Sequence, residues 1–210
     1  MPTLRSLATI GGSAAMLAGC FDWDLTILIS AHPTYAATDL VSDNRLLGVW
    51  ATDRGDTVVM LERGAGHYVA MRTRVSEEGA VGSDIALDVH HFLLGGEHFF
   101  DWVPTETVDG KVITETVDGM VIHVPILVRI VGDTLRLSLL DDDQLRDSTG
   151  WGRDSVPRFR TSEFPVVLRG SLEGIQAFLG RYAADTTTHT AWWEWVRRPL
   201  GGGPEVPAED

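Results

Sequence analysis

Cysteine is nearly missing from this chain: Cys20 is the only one among 210 residues. An internal disulfide is therefore impossible, and an oxidising compartment would leave this thiol unpaired. Metal-binding spacings are missing too. The seven histidines include no His-x-x-x-His pair, and Cys-x-x-Cys is absent, which excludes the common zinc frameworks. Asp141-Asp142-Asp143 lacks the ligand spacing of an EF-hand loop and reads as the exposed start of a short helix, Asp142 to Asp147. There is no Gly-x-Ser-x-Gly, so the nucleophile elbow of serine hydrolases is excluded. Positive charge is scarce, with 17 Lys and Arg against 30 Asp and Glu and a net charge of −13; Lys111 is the one lysine. This balance argues against nucleic acid as a partner and against electrostatic docking to anionic lipid. Beyond the N-terminal region no apolar run approaches the length of a membrane span. The expectation is a protein with no cofactor and no metal, and not an enzyme.

What is present begins at the N-terminus. Met1 to Arg5 carry one positive charge, Leu7 to Ala18 form a weakly apolar stretch, and small residues precede Cys20. A charged start, a short apolar centre and small residues at a cut describe a secretory signal. Leu17-Ala18-Gly19-Cys20 resembles the lipobox of bacterial lipoprotein signal peptides. The resemblance implies cleavage before Cys20, a diacylglycerol on its thiol, and a lipid-anchored protein of the cell envelope. Each buried acyl methylene contributes about 0.8 kcal/mol, so palmitate-length chains on one residue make a stable anchor. Phe21 rather than aspartate follows Cys20, which implies the outer membrane if the host is Gram-negative. Ordinary signal cleavage near Ala36 or Ala37, after the run Leu25 to Ala31, is the alternative; Asp22 and Asp24 interrupt it.

The chain then divides into a signal over 1–19, a tether over 20–45, one folded domain over 46–200 and a disordered tail over 201–210, rich in glycine, proline and acid. The domain reads as a succession of short β-type runs between turn residues, about nine in all. They are Leu46–Ala51, Thr57–Glu62, His67–Thr73, Asp84–Leu94, Glu97–Val103, Met120–Val131, Thr134–Leu140, Val156–Thr161 and Phe164–Arg169. This spacing predicts a mainly β fold, an antiparallel barrel or a small β-sandwich. One helix follows: Ser171 can cap it, and Leu172, Ile175, Phe178, Leu179 and Tyr182 recur at helical spacing. A second is expected over Thr190 to Arg197. Residues 105–113 and 114–122 are tandem copies that differ only at Lys111 and Met120, read as a duplication that lengthens a hairpin or loop.

Two turns permit a test by pairing. If Gly132-Asp133 joins two strands, Ile130, Val128 and Ile126 face Leu135, Leu137 and Leu139 on one side, and Arg129 faces Arg136 on the other, wet side. If Gly95-Gly96 is a hairpin turn, one face collects Leu87, Val89, His91, Leu93, His98, Phe100 and Trp102. The opposite face then collects Asp88, His90, Phe92, Leu94, Glu97, Phe99, Asp101 and Val103. His90 falls opposite Asp101, the one pair that geometry alone singles out for chemistry, as a base or as a structural bridge. His91 can meet His98 diagonally, with His67 or His123 as outside help. Trp192, Trp193 and Trp195 suit a C-terminal segment pinned to the body, a ligand grip or a membrane interface.

Leu47-Gly48-Val49-Trp50 resembles the Gly-x-Trp element that opens lipocalin-like, or calycin, barrels. The resemblance implies a barrel whose end Trp50 closes, packed against an arginine near the last strand, here Arg169. Lipobox, Gly-x-Trp and the helix around Gln176-Ala177-Phe178-Leu179 together resemble uncharacterised bacterial lipoproteins. Trp50, Trp102, Phe99 and Phe100 are the expected lining. Three functions remain open: a barrel that binds a small apolar ligand or envelope component, a structural or protein-interaction lipoprotein with a filled barrel, and a hydrolase-like enzyme using His90 and Asp101.

Overall fold

The computed structural model describes residues 28–52, 56–75, 81–108, 111–114, 116–117, 120–140, 158–159, 166–168, 170–186 and 192–199. Cys20 and the signal, Arg169, the expected helix Asp142 to Asp147 and the tail 201–210 lie outside these residues.

In chain order the strands are β1 (Leu28–Ser30), β2 (Gly48–Thr52), β3 (Thr57–Gly64), β4 (His67–Val75), β5 (Val81–Leu94) and β6 (Glu97–Val108). The short pieces β7 (Lys111–Thr114), β8 (Thr116–Val117) and β9 (Met120–Val121) precede β10 (Val124–Val131) and β11 (Thr134–Leu139). The chain then forms β12 (Arg158–Phe159), β13 (Val166–Leu168), the helix α1 (Leu172–Ala184) and β14 (Trp193–Arg198).

Eight of these close a barrel in the order β10-β11-β14-β2-β3-β4-β5-β6, with β6 pairing back onto β10. Every pairing in it is antiparallel. The fold is mainly β, a closed barrel with one α-helix among the described residues, and is compatible with a calycin-like barrel. Closure gives every long strand two neighbours and leaves no free edge along the wall.

Both predicted hairpin registers occur. Ile130, Val128 and Ile126 face Leu135, Leu137 and Leu139, with Arg129 opposite Arg136, and His90 faces Asp101. Gly95 and Gly96 take φ of 63° and 90°, the left-handed pair that a two-residue turn between twisted strands requires. In the duplicated segment, Val108 pairs with Lys111 in the first copy and Val117 with Met120 in the second. The equivalent residues of the two copies therefore pair in the same register.

Strand alternation divides the apolar residues into two clusters. The barrel interior holds Trp50, Met60, Tyr68, Phe100, Trp102 and Trp195 among its largest members, each 2 % exposed or less. Trp102 and Trp195 stack with centroids 5.7 Å apart. Outside the wall, Phe92, Phe99 and Leu127 pack with Ile175, Phe178, Leu179 and Tyr182 of α1. The helix forms where its spacing predicts. Ser171 caps it, its hydroxyl accepting from the Gly174 amide at 3.2 Å, and its apolar stripe is buried. Each buried side chain of that stripe contributes about 2 kcal/mol of gross burial.

Two expectations are corrected by packing. Residues 193–198, expected as helix within Thr190 to Arg197, form β14. Trp193, Trp195 and Arg197 recur every second residue, and the barrel needs a strand between β11 and β2. Residues 28–45, placed in the tether by the sequence, are packed in the body. β1 pairs in parallel with β13, and Leu28, Ile29, Ser30 and Thr34 are buried. From there the chain runs as a strap, residues 31–43, down the outside of β5 and β6. It reaches the barrel end that carries the Gly95-Gly96 and Gly132-Asp133 turns.

Candidate functional site

Beneath the strap, the outward face of the β5–β6 hairpin carries a polar cluster. Asp101 on β6 is fully buried. Its Oδ2 accepts from the Thr34 amide and the Thr34 hydroxyl, both at 2.8 Å. Its Oδ1 lies 2.9 Å from Nδ1 of His123, also buried. A carboxylate buried among such partners is held in one orientation and holds them in turn. His90, although in register with Asp101, does not bond to it. Its ring is sandwiched between His67 at 4.6 Å and Tyr35 at 4.8 Å, centroid to centroid. The far ring, His67, meets Asp88 at 3.2 Å. Burial lowers the affinity of His90 for a proton, and His67 and His123 add to this, while Asp101 and Asp88 oppose it. Burial, with the charges of Asp101 and Asp88, pushes the Tyr35 hydroxyl up to about 12. Its phenol therefore stays protonated in any ordinary buffer.

The inward face of the same hairpin carries a second imidazole pair. Nε2 of His91 stands 2.8 Å from Nδ1 of His98, with the rings stacked at 5.0 Å. His91 is fully buried. Burial and the neighbouring His98 pull its pKa down to about 4, with a smaller contribution of the same sign from Arg45; the Val41 backbone beside the ring and the charge of Asp43 act the other way. On the main chain, the Val41 amide donates to the His91 carbonyl at 3.0 Å, and the His91 amide donates to the Gly66 carbonyl at 2.7 Å. Adjacent histidines on one strand thus engage one partner imidazole on each side of the wall, and the strap touches both.

At the barrel end, Trp50 donates its indole N–H to the Leu46 carbonyl at 2.9 Å. The guanidinium that stacks on Trp50 belongs to Arg197, 4.5 Å from the ring centroid. It also donates to the carbonyls of Leu47 and Arg45. Arg169, the partner expected from the sequence, lies outside the described residues. Gly48 has φ 124°, and a Cβ there would stand 3.1 Å from Nη1 of Arg197. The glycine of Gly-x-Trp is thereby explained: it gives the guanidinium room to reach over the ring.

Of the four expected lining residues, Trp50, Trp102 and Phe100 point into the barrel, whereas Phe99 points outward beneath α1. Sequence reasoning did not assemble Thr34, Tyr35 and His123 with Asp101. Thr34 and Tyr35 lie in the stretch taken for a tether, 67 residues from Asp101 in the case of Thr34. The available signal for Arg197 was the two-residue recurrence with Trp193 and Trp195, which marks an inward-facing row of a strand.

Among the described residues no group of three or more His, Cys, Asp and Glu side chains could hold a metal ion. No helix among them is long and apolar enough to cross a membrane, which says nothing about strands. Comparison with protein-family models, curated proteins and solved structures finds no match to this chain.

Proposed function

We propose that this chain is a lipid-anchored protein of the cell envelope, attached through Cys20, whose filled barrel is a rigid scaffold for contact with another envelope component. The observation that carries the scaffold reading is the burial of the large side chains on the barrel's inner face. Trp50, Phe100, Trp102, Tyr68 and Met60 are each 0 % exposed, so no water-sized void touches them, and a ligand deep in the barrel would have to displace them. Binding of a small apolar ligand needs a concave lined space, and these rings occupy it. The hydrolase alternative draws less support, because the oxygens of Asp101 are engaged by Thr34 and His123 and His90 is held between two rings. The anchor rests on Leu17-Ala18-Gly19-Cys20 and the preceding signal pattern.

One experiment in two arms tests this. Cells expressing the full chain are fed labelled palmitate, and the purified protein is analysed by native mass spectrometry. The expected result is label on the wild-type chain, none on Cys20→Ser, and no small molecule bound one-to-one beyond the anchor. An unlabelled wild-type chain that stays in the aqueous phase of a detergent split overturns the anchor. A stoichiometric apolar ligand overturns the filled scaffold.

A further inference from the structure

The two histidine pairs have no part in the scaffold reading, yet they occupy the one stretch of wall over which the strap runs. On the outer side Tyr35, His90 and His67 form a three-ring stack. On the inner side His91 and His98 meet nitrogen to nitrogen. The strap is fastened at three points along this line. The Thr34 amide and hydroxyl are bound to Asp101, Tyr35 lies on His90, and the Val41 amide is bound to the His91 carbonyl. Gln176 of α1 clips it from above through the Asp39 carboxylate at 2.7 Å.

We propose that these paired imidazoles form an acid-operated latch: neutral rings hold the strap on the wall, and protonation of the pairs releases residues 34–41 while the barrel stays closed.

The chemistry follows from the contacts. Two imidazole nitrogens 2.8 Å apart share one hydrogen: one ring donates and the other accepts with its lone pair. Once both rings are protonated the lone pair is gone, two N–H groups face each other, and two positive charges meet in a buried site. The rings must separate, and His91 cannot move without disturbing its bonds to Val41 and Gly66. The outer stack responds in the same direction. The outer ring, His67, already lies 3.2 Å from the Asp88 carboxylate. Protonating both His67 and His90 places two cations 4.6 Å apart in parallel planes. Nδ1 of His90 and Nδ1 of His91 are both buried without a hydrogen-bond partner.

The charged and titratable groups around the outer pair are Asp88 on β5, Asp101 on β6, His123 ahead of β10 and Tyr35 on the strap. Those around the inner pair are Asp43 and Arg45 on the strap side and Tyr68 on β4; Glu62 on β3 bears on Tyr68. A carboxylate near each pair, Asp88 on the outer side and Asp43 on the inner, offsets one positive charge, and the second proton on the rings is the trigger. The low proton affinities of His90 and His91 agree with this order.

Amide hydrogen exchange of the full chain at pH 7.5 and 5.0, corrected for intrinsic rates, tests the latch. Protection at Thr34 and Val41 is expected to fall at least tenfold more than protection in Val124–Leu139, the barrel reference. In the double variant His67→Phe/His98→Gln, which keeps a ring in the outer stack and a neutral hydrogen-bonding group beside His91, neither pair can carry two charges. The differential loss is expected to shrink below threefold. The latch is overturned if strap and barrel lose protection in step, if neither changes, or if the double variant keeps the full response. Should the double variant fail to fold, the wild-type comparison of strap against barrel decides alone.

Discussion

Asp101 is a carboxylate with no solvent contact, and its partners depend on it. Removing it strands the Thr34 amide, the Thr34 hydroxyl and the His123 ring in a buried site. Asp101→Ala is expected to lower stability by about 3–5 kcal/mol, as breaking a buried charged contact does, read by chemical denaturation. Retained stability would mean that strap and wall do not depend on this carboxylate. His91 sets a pH dependence whose sign can be worked out. Folded, its pKa is about 4 against an ordinary 6.5, so below 6.5 the unfolded chain binds a proton that the folded chain refuses. Its contribution is present in full above about 6.5, falls as pH drops, and is spent near 4. The loss is about 3 kcal/mol across that window. Denaturation midpoints between pH 7 and 4 check it, and His91→Phe should flatten the slope.

Among the elements, the hairpins and α1 follow from local pattern. Turn glycines set register and alternation sets the face, so His90 opposite Asp101 and Arg129 opposite Arg136 were legible from residues alone. The partner of each side chain was not. His90 shares a register position with Asp101 but gives its ring faces to His67 and Tyr35, while the oxygens of Asp101 are taken by Thr34 and His123. β14 was not legible as a strand. A six-residue aromatic run satisfies helix and strand patterns alike, and the gap between β11 and β2 decided it. For α1, Ser171→Ala removes the acceptor for the Gly174 amide. The expected cost is about 1 kcal/mol, measured by thermal unfolding with the barrel tryptophan signal as reference.

At the scale of the molecule, the proposed filled barrel makes a prediction that a hollow one would not. Phe100 is fully buried in the interior. Phe100→Ala is expected to cost about 3–5 kcal/mol and to leave a dry apolar void. Benzene should then raise the melting temperature of the variant and leave the wild type unchanged; a wild type already stabilised by benzene would point to a cavity.

The sequence by itself determined the local order of the hairpins: where they turn, which of their residues share a face, where the helix starts, and the Gly-x-Trp element whose glycine makes room for a guanidinium. These depend on backbone geometry and on periods of two and 3.6, which neighbours in sequence impose. Only the tertiary structure decided that the sheet closes, that Trp50, Phe100 and Trp102 are buried inside it, that Arg197 covers Trp50, and that Thr34 crosses 67 residues to Asp101. Such contacts arise because each buried group must find a partner wherever the chain brings one, and sequence distance places no limit on which.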